Sequence, residues 1–83
     1  MSYEIQFKRS ALNDLKKIGK TEAGRILLTI TEKLSKNPEQ YEMLAGRFKG
    51  LRKLRIGDYR VIFAIKGQMV IIAKIGHRKE VYE

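Results

Sequence analysis

The hydrophobic period changes along the chain, and each change marks an element. In "YEIQF" the apolar residues alternate, with Tyr3, Ile5 and Phe7 on one side, which predicts a half-buried strand. In "SALNDLKKIG" the spacing lengthens. Ala11, Leu12, Leu15 and Ile18 fall on one face of a helix, with Ser10 placed to cap its start and Gly19 to end it. "KTEAGRILLTITEKLSKNP" predicts a longer second helix. Thr21 stands at its N-cap, and Leu27, Ile30 and Leu34 form its stripe with Ile26 beside it. Asn37-Pro38 ends it, because the residue before a proline avoids helical backbone angles. So few residues separate the helices that they form a helical hairpin.

The next stretch, "EQYEMLAGRFKG", has no clear period. It is expected to be a loop or a short helical turn, anchored by Tyr41, Met43, Leu44 and Phe48. Period two then returns in "LRKLRI", "YRVIFAI" and "MVIIAKIG". The short links "GD" and "KGQ" between these runs mark two successive hairpins. The order predicts an α+β fold: an N-terminal strand, a helical hairpin, then a three-stranded antiparallel meander. Together the strands make a four-stranded sheet with the helices packed on one face. At 83 residues the chain is a single domain, 1–83, with one modest core.

Composition narrows the chemistry. Cysteine is absent, which excludes disulfide staples and thiolate metal sites and fits a reducing compartment. The start "MSYEIQFKRS" carries no apolar signal segment, and the longest apolar runs are strand-sized. A soluble, cytoplasmic protein with no membrane partner is expected. The net charge is +9 and unevenly spread: residues 46–83 hold ten basic side chains against three acidic ones. An excess local to one half of the chain points to a polyanionic partner rather than to general solubility.

Strand parity sorts these charges. Lys53 and Arg55 point to one side of their strand, and Arg52, Leu54 and Ile56 to the other, so the lysine and arginine are expected on an open face. In the next strand Arg60 shares a side with Ile62 and Ala64, while Tyr59 goes with Val61, Phe63 and Ile65. Either set is apolar enough to be core. The hairpin brings Arg60 near Lys53 and Arg55, and the last strand delivers His77, Arg78, Lys79 and Tyr82. Such a group suits a phosphodiester: cations hold the phosphate and the charge that grows on it, and a histidine or tyrosine moves protons or stacks on a base. Plainer readings stand beside these. Arg60 at a strand end can hold its head in water, and Tyr82 can close the edge of a small core. Asp58 sits at a turn that it can cap, so no carboxylate stands out as a general base, and Lys53 is the candidate for that role.

"LRKLRIGDYRVIFAIKGQMVIIAKIGHRKEVY" resembles the C-terminal half of RelE-type toxins of bacterial and archaeal toxin–antitoxin systems, above all in "LRIGDYRVIF" and "IGHRKEVY". The likeness extends over essentially the whole chain, within the RelE/ParE superfamily. It implies a toxin that cleaves mRNA in the ribosomal A site. The 2′-hydroxyl attacks the adjacent phosphate, leaving a 2′,3′-cyclic phosphate and a 5′-hydroxyl, with no metal or other cofactor.

By resemblance, Lys53 matches a lysine at the reacting nucleotide, and Arg60 in "DYR" a phosphate-binding arginine. Arg78 in "GHR" matches an arginine that stabilises the transition state or protonates the leaving group, and Tyr82 in "EVY" a tyrosine that orients a base. Arg52, Arg55, His77 and Lys79 are expected to contact RNA or the ribosome; some relatives use a C-terminal histidine as general base, and in others it packs or touches RNA. The family often has a second lysine where this chain has Leu51, a gap that Arg52 or Arg55 would fill. The resemblance also implies a cognate antitoxin that covers the basic surface, with DNA bound only through that antitoxin. Two alternatives share the scaffold: a ParE-like gyrase inhibitor without nuclease activity, and a degenerate module that only binds RNA.

Overall fold

The structure, a computed structural model, describes residues 2–46 and 49–77. Its elements follow the expected order. They are β1 (Glu4–Phe7), α1 (Arg9–Lys17), α2 (Lys20–Leu34), a short 3-10 helix (Pro38–Gln40), β2 (Arg52–Ile56), β3 (Tyr59–Lys66) and β4 (Met69–His77). The sheet order is β1-β4-β3-β2. β2, β3 and β4 form the antiparallel meander, and β1 lies parallel to β4, so the sheet is mixed. The helical hairpin carries the chain from β1 at one edge to β2 at the other. Both hairpin turns have two central residues. Gly57 (φ +60) and Gly67 (φ +59) take the first central position, and the residues after them keep negative φ, the pattern that suits the twist of the flanking strands.

The core lies between the helices and one face of the sheet. Phe63, Val61, Ile72 and Val70 supply its floor, and Ile26, Ile30 and Leu34 cover it from α2, each fully buried. The stripe of α2 differs by one position from the expected one. The i, i+4 series from Ile26 takes the inner face, while Leu27 turns outward at 38% exposure. On α1, Ala11 and Leu15 are buried, while Leu12 is 46% exposed. Neither helix start uses the expected cap. Thr21 lies inside α2, whose N-cap is Gly19, and Ser10 lies inside α1, whose N-cap is Lys8.

Ser10 does something else. β4 has nine residues and β1 only four, so β4 runs on past its partner with an unpaired edge. α1 covers that edge. The Ser10 hydroxyl donates to the Ala73 carbonyl at 2.7 Å, and the Asp14 carboxylate accepts the Ile75 N–H at 2.9 Å. The two residues are four apart on the helix and so share a face. Between them lies a β-bulge: Ile62 pairs with Lys74 but Phe63 pairs with Ile72, leaving Ala73 extra. Asp14→Ala would leave the part-buried Ile75 N–H unpaired and is expected to cost about 1–3 kcal/mol in urea unfolding. A variant as stable as wild type would show that water replaces the carboxylate.

The segment between α2 and β2 is tied down at several points. Tyr41 packs edge-on against Phe63, with ring centroids 6.2 Å apart. The Arg52 guanidinium donates to the carbonyls of Glu39 (3.1 Å) and Tyr41 (2.8 Å). The Tyr3 pKa is raised, first by desolvation and then by the Glu39 carboxylate nearby. Met43, expected as an anchor, is instead 55% exposed, and Phe48 lies outside the described residues.

Candidate functional site

Register decides which charged side chains meet. Arg55 pairs with Arg60, and Arg60 pairs with Gly76, giving one cross-strand row on the face away from the helices. The next row contains Lys53, Ile62 and Lys74. Arg60 therefore belongs to the open face, and the set of Tyr59, Val61, Phe63 and Ile65 faces the core. Lys53, Arg55 and Arg60 share one patch, as expected. Gly76 adds no side chain to that row.

The second row is longer than the meander. The Lys53 N–H donates to the Glu42 carbonyl (3.1 Å), the Leu44 N–H donates to the Leu51 carbonyl (2.8 Å), and Met43 forms a bridge with Arg52. Residues 42–44 thus make an extra rung outside β2, with Glu42 opposite Lys53. The Glu42 carboxylate stands 3.8 Å from the Lys53 ammonium. The Glu42 side chain is 75% exposed and that of Lys53 22%.

The patch is built around Ile62. This residue is 2% exposed, yet it lies outside the main core cluster because it faces the other way. It is the apolar member of the second row, between Lys53 and Lys74, and low-polarity surroundings of this kind strengthen nearby electrostatic interactions. Arginines directly across a strand pair repel each other. A bound anion offsets that repulsion.

Other expected site residues sit elsewhere. Arg52 lies on the helix-facing side of β2, where its guanidinium holds the loop carbonyls rather than joining the patch. His77 also departs from the expected convergence. It pairs with Tyr59 on the helix-facing side, its ring edge-on to the tyrosine at 5.9 Å. It lines a cleft of about 520 Å³ with Asp14, Lys17, Tyr59 and Lys74. The Lys74 amine turns to the β4 edge, 3.9 Å from Asp14. Arg78, Lys79 and Tyr82 lie outside the described residues.

Glu42 and Ile62 are the parts of the patch that strand parity alone did not single out. The signal for Glu42 was faint: Tyr41, Glu42 and Met43 alternate, and Gly46 and Gly50 turn the chain back toward β2. Among the described residues no group of acids and histidines is placed to hold a metal ion, and no helix is long and apolar enough to cross a membrane.

No curated protein matches the chain by sequence. Solved structures do match by fold. The toxin–antitoxin complex RelBE2 from Mycobacterium tuberculosis shares 24% identity, with a TM-score of 0.87 over 96% of this chain and 95% of that one. The archaeal RelE–RelB complex from Pyrococcus horikoshii shares 25% identity, with a TM-score of 0.74 over 98% of this chain and 100% of that one. A mutant of the E. coli toxin RelE in the free state shares 22% identity, with a TM-score of 0.77 over 98% and 88%. Residues 5–82 match the family described as ParE toxin of type II toxin-antitoxin system, parDE. With nearly the whole chain inside that match, on the RelE fold, the chain belongs to the ParE toxin family of type II toxin–antitoxin systems, a RelE-type toxin of the RelE/ParE superfamily.

Proposed function

We propose that this toxin is a ribosome-dependent endoribonuclease that cleaves mRNA in the A site without a metal ion. The observation that supports this most is the open-face patch of Lys53, Arg55 and Arg60 around a buried Ile62. Three cations gathered on one face suit a phosphodiester, whose oxygens accept from all of them. In this reading Arg60 grips a non-bridging phosphate oxygen through its planar fork. Lys53 and Arg55 add positive charge where negative charge grows as the 2′-hydroxyl attacks phosphorus and the 5′-oxygen leaves. Arg78 and Tyr82 complete the site from the tail, the arginine at the leaving group and the tyrosine on a base. Lys79 and His77 contact RNA or the ribosome at the margin.

An 83-residue protein has little surface with which to fix an RNA backbone in line for attack. The ribosome supplies that positioning, so cleavage of free RNA is expected to be weak. The cytoplasm, where ribosomes and mRNA meet, is the place of action. The other partner is a cognate antitoxin, as in the RelE–RelB complexes of similar fold, and an acidic segment would cover this patch. Operator DNA is reached only through it.

The family description favours a second reading, a gyrase poison of the ParE kind. Inducing the toxin in cells separates the two. Mapped mRNA 5′ ends that cluster inside codons, with normal plasmid supercoiling, support the nuclease. Intact mRNA with altered supercoiling contradicts it.

A further inference from the structure

We propose that the cleft between α1, the start of β3 and the end of β4 is a nucleotide subsite, which takes the base and phosphate of an RNA nucleotide flanking the scissile bond. The proposal rests on the nuclease reading above for its ligand. Lys17 lines the cleft from α1, Tyr59 from β3, and Lys74, Gly76 and His77 from β4. Tyr59 and His77 are on the helix-facing side of the sheet, away from the face that carries Lys53, Arg55 and Arg60. The volume, about 520 Å³, is in the range of small-molecule sites, roughly 300–1,000 Å³.

The lining fits a nucleotide in its chemistry. Tyr59 and His77 supply aromatic rings 5.9 Å apart, set at 74° to each other, and a ring wall accepts any base by stacking. Lys17 and Lys74 supply ammonium groups for a phosphate. The carboxylate in the lining, Asp14, is already engaged: it accepts the Ile75 N–H at 2.9 Å, and the Lys74 ammonium 3.9 Å away offsets its charge. An ammonium has three donors and the Lys74 side chain is 49% exposed, so it can face Asp14 and a phosphate together. An acidic protein segment would satisfy the lysines but leave the rings without a planar partner. The cleft is also continuous with the patch. Lys74 belongs to the row of Lys53 and Ile62, and Gly76 to the row of Arg55 and Arg60, and both line the cleft as well. Lys74 is two strands from Lys53, roughly 10 Å across the sheet. An RNA strand held at Arg60 passes over β4 at Lys74 and Gly76 and reaches the cleft.

The test uses the purified toxin and a short RNA with 2′-O-methyl groups, which cannot be cut by 2′-hydroxyl attack. Photocrosslinking from 4-thiouridine at single positions should label Tyr59 or His77. Lys17 is exposed on α1, so Lys17→Ala should fold as wild type and carries the test even if a tyrosine variant is unstable. It should weaken binding several-fold and lower the slope of log affinity against log salt by roughly 0.7, the value for one phosphate contact to a single strand. Tyr59→Leu should weaken binding by about 10-fold, and Tyr59→Phe, which keeps the ring, should bind as wild type. Lys36→Ala is the control, because Lys36 follows Ser35, which bonds to Tyr3 beside the other end of β4. It should change neither affinity nor slope. Crosslinks confined to the open face, with Lys17→Ala binding as wild type, would overturn the subsite and leave the nuclease reading standing. Crosslinks in the cleft of a toxin that cuts no mRNA on ribosomes would support the subsite and overturn the nuclease reading.

Discussion

Arg60→Ala is expected to slow cleavage of ribosome-bound mRNA by about 100- to 1,000-fold, the loss seen when one preorganised donor to a developing oxyanion is removed. Arg60 stands at the centre of the patch, opposite Arg55 on one side and Gly76 on the other. Arg55 is the other guanidinium of that row, on the exposed edge strand β2. Arg60→Lys keeps the charge but loses the paired N–H groups, so it should recover only part of the rate. Arg60→Ala removes one of two opposed like charges, so its stability should stay near wild type, and Arg60→Lys, which keeps the charge, should unfold at the same urea concentration as wild type. A quantitative cleavage assay beside a urea melt checks both halves. An alanine variant that cuts at the wild-type rate would remove Arg60 from the site. One that cuts slowly only because it is unfolded would make Arg60 a structural residue.

The largest effect on stability is expected from Phe63→Ala, at about 3–5 kcal/mol. Phe63 is fully buried in the central strand β3, pairs with Ile72 across the sheet and takes the edge of Tyr41. Deleting its ring opens a cavity in the core beside Tyr41. A domain of this size has roughly 4–12 kcal/mol of total stability, so the variant should be marginal at 37 °C. Tyr41 would lose its seat at the same time, and it immediately precedes Glu42. A milder change, Phe63→Leu, should therefore weaken cleavage more than its loss of stability alone explains. Urea titration of both variants, with the m-value as a check on two-state behaviour, measures the first effect. A loss under 1 kcal/mol for alanine would mean that the core closes around the gap.

The sequence carried the architecture because its signals were local. Gly57-Asp58 and Gly67-Gln68 marked both hairpins, and the alternation of Lys53, Leu54, Arg55 and Ile56 separated open face from core. The errors came where a third element decides. Ile26, Leu27 and Leu28 are consecutive and equally apolar, so only docking on the sheet selects Ile26 for the core. Ser10 looks like a cap from its neighbours, but the edge that it satisfies is 63 residues away. The bulge at Ala73 has the largest consequence. Strict alternation along β4 puts Val70, Ile72, Lys74 and Gly76 on one face, but the extra residue sends Ile75 and His77 to the core side instead. That shift places His77 beside Tyr59 and leaves Gly76 opposite Arg60. Glu42 was hidden for a related reason. Its segment is too short and irregular to register as a strand, and its pairing exists only because the loop returns to β2.

The most direct test is cleavage of one defined mRNA by the purified toxin, with and without ribosomes that hold a known codon in the A site. The expected product is a single cut within that codon, with a 2′,3′-cyclic phosphate upstream and a 5′-hydroxyl downstream. It should form in the presence of EDTA at magnesium levels that keep ribosomes intact, and the free RNA should stay whole. Intact mRNA in both arms, from a folded protein that inhibits gyrase, would contradict the nuclease assignment.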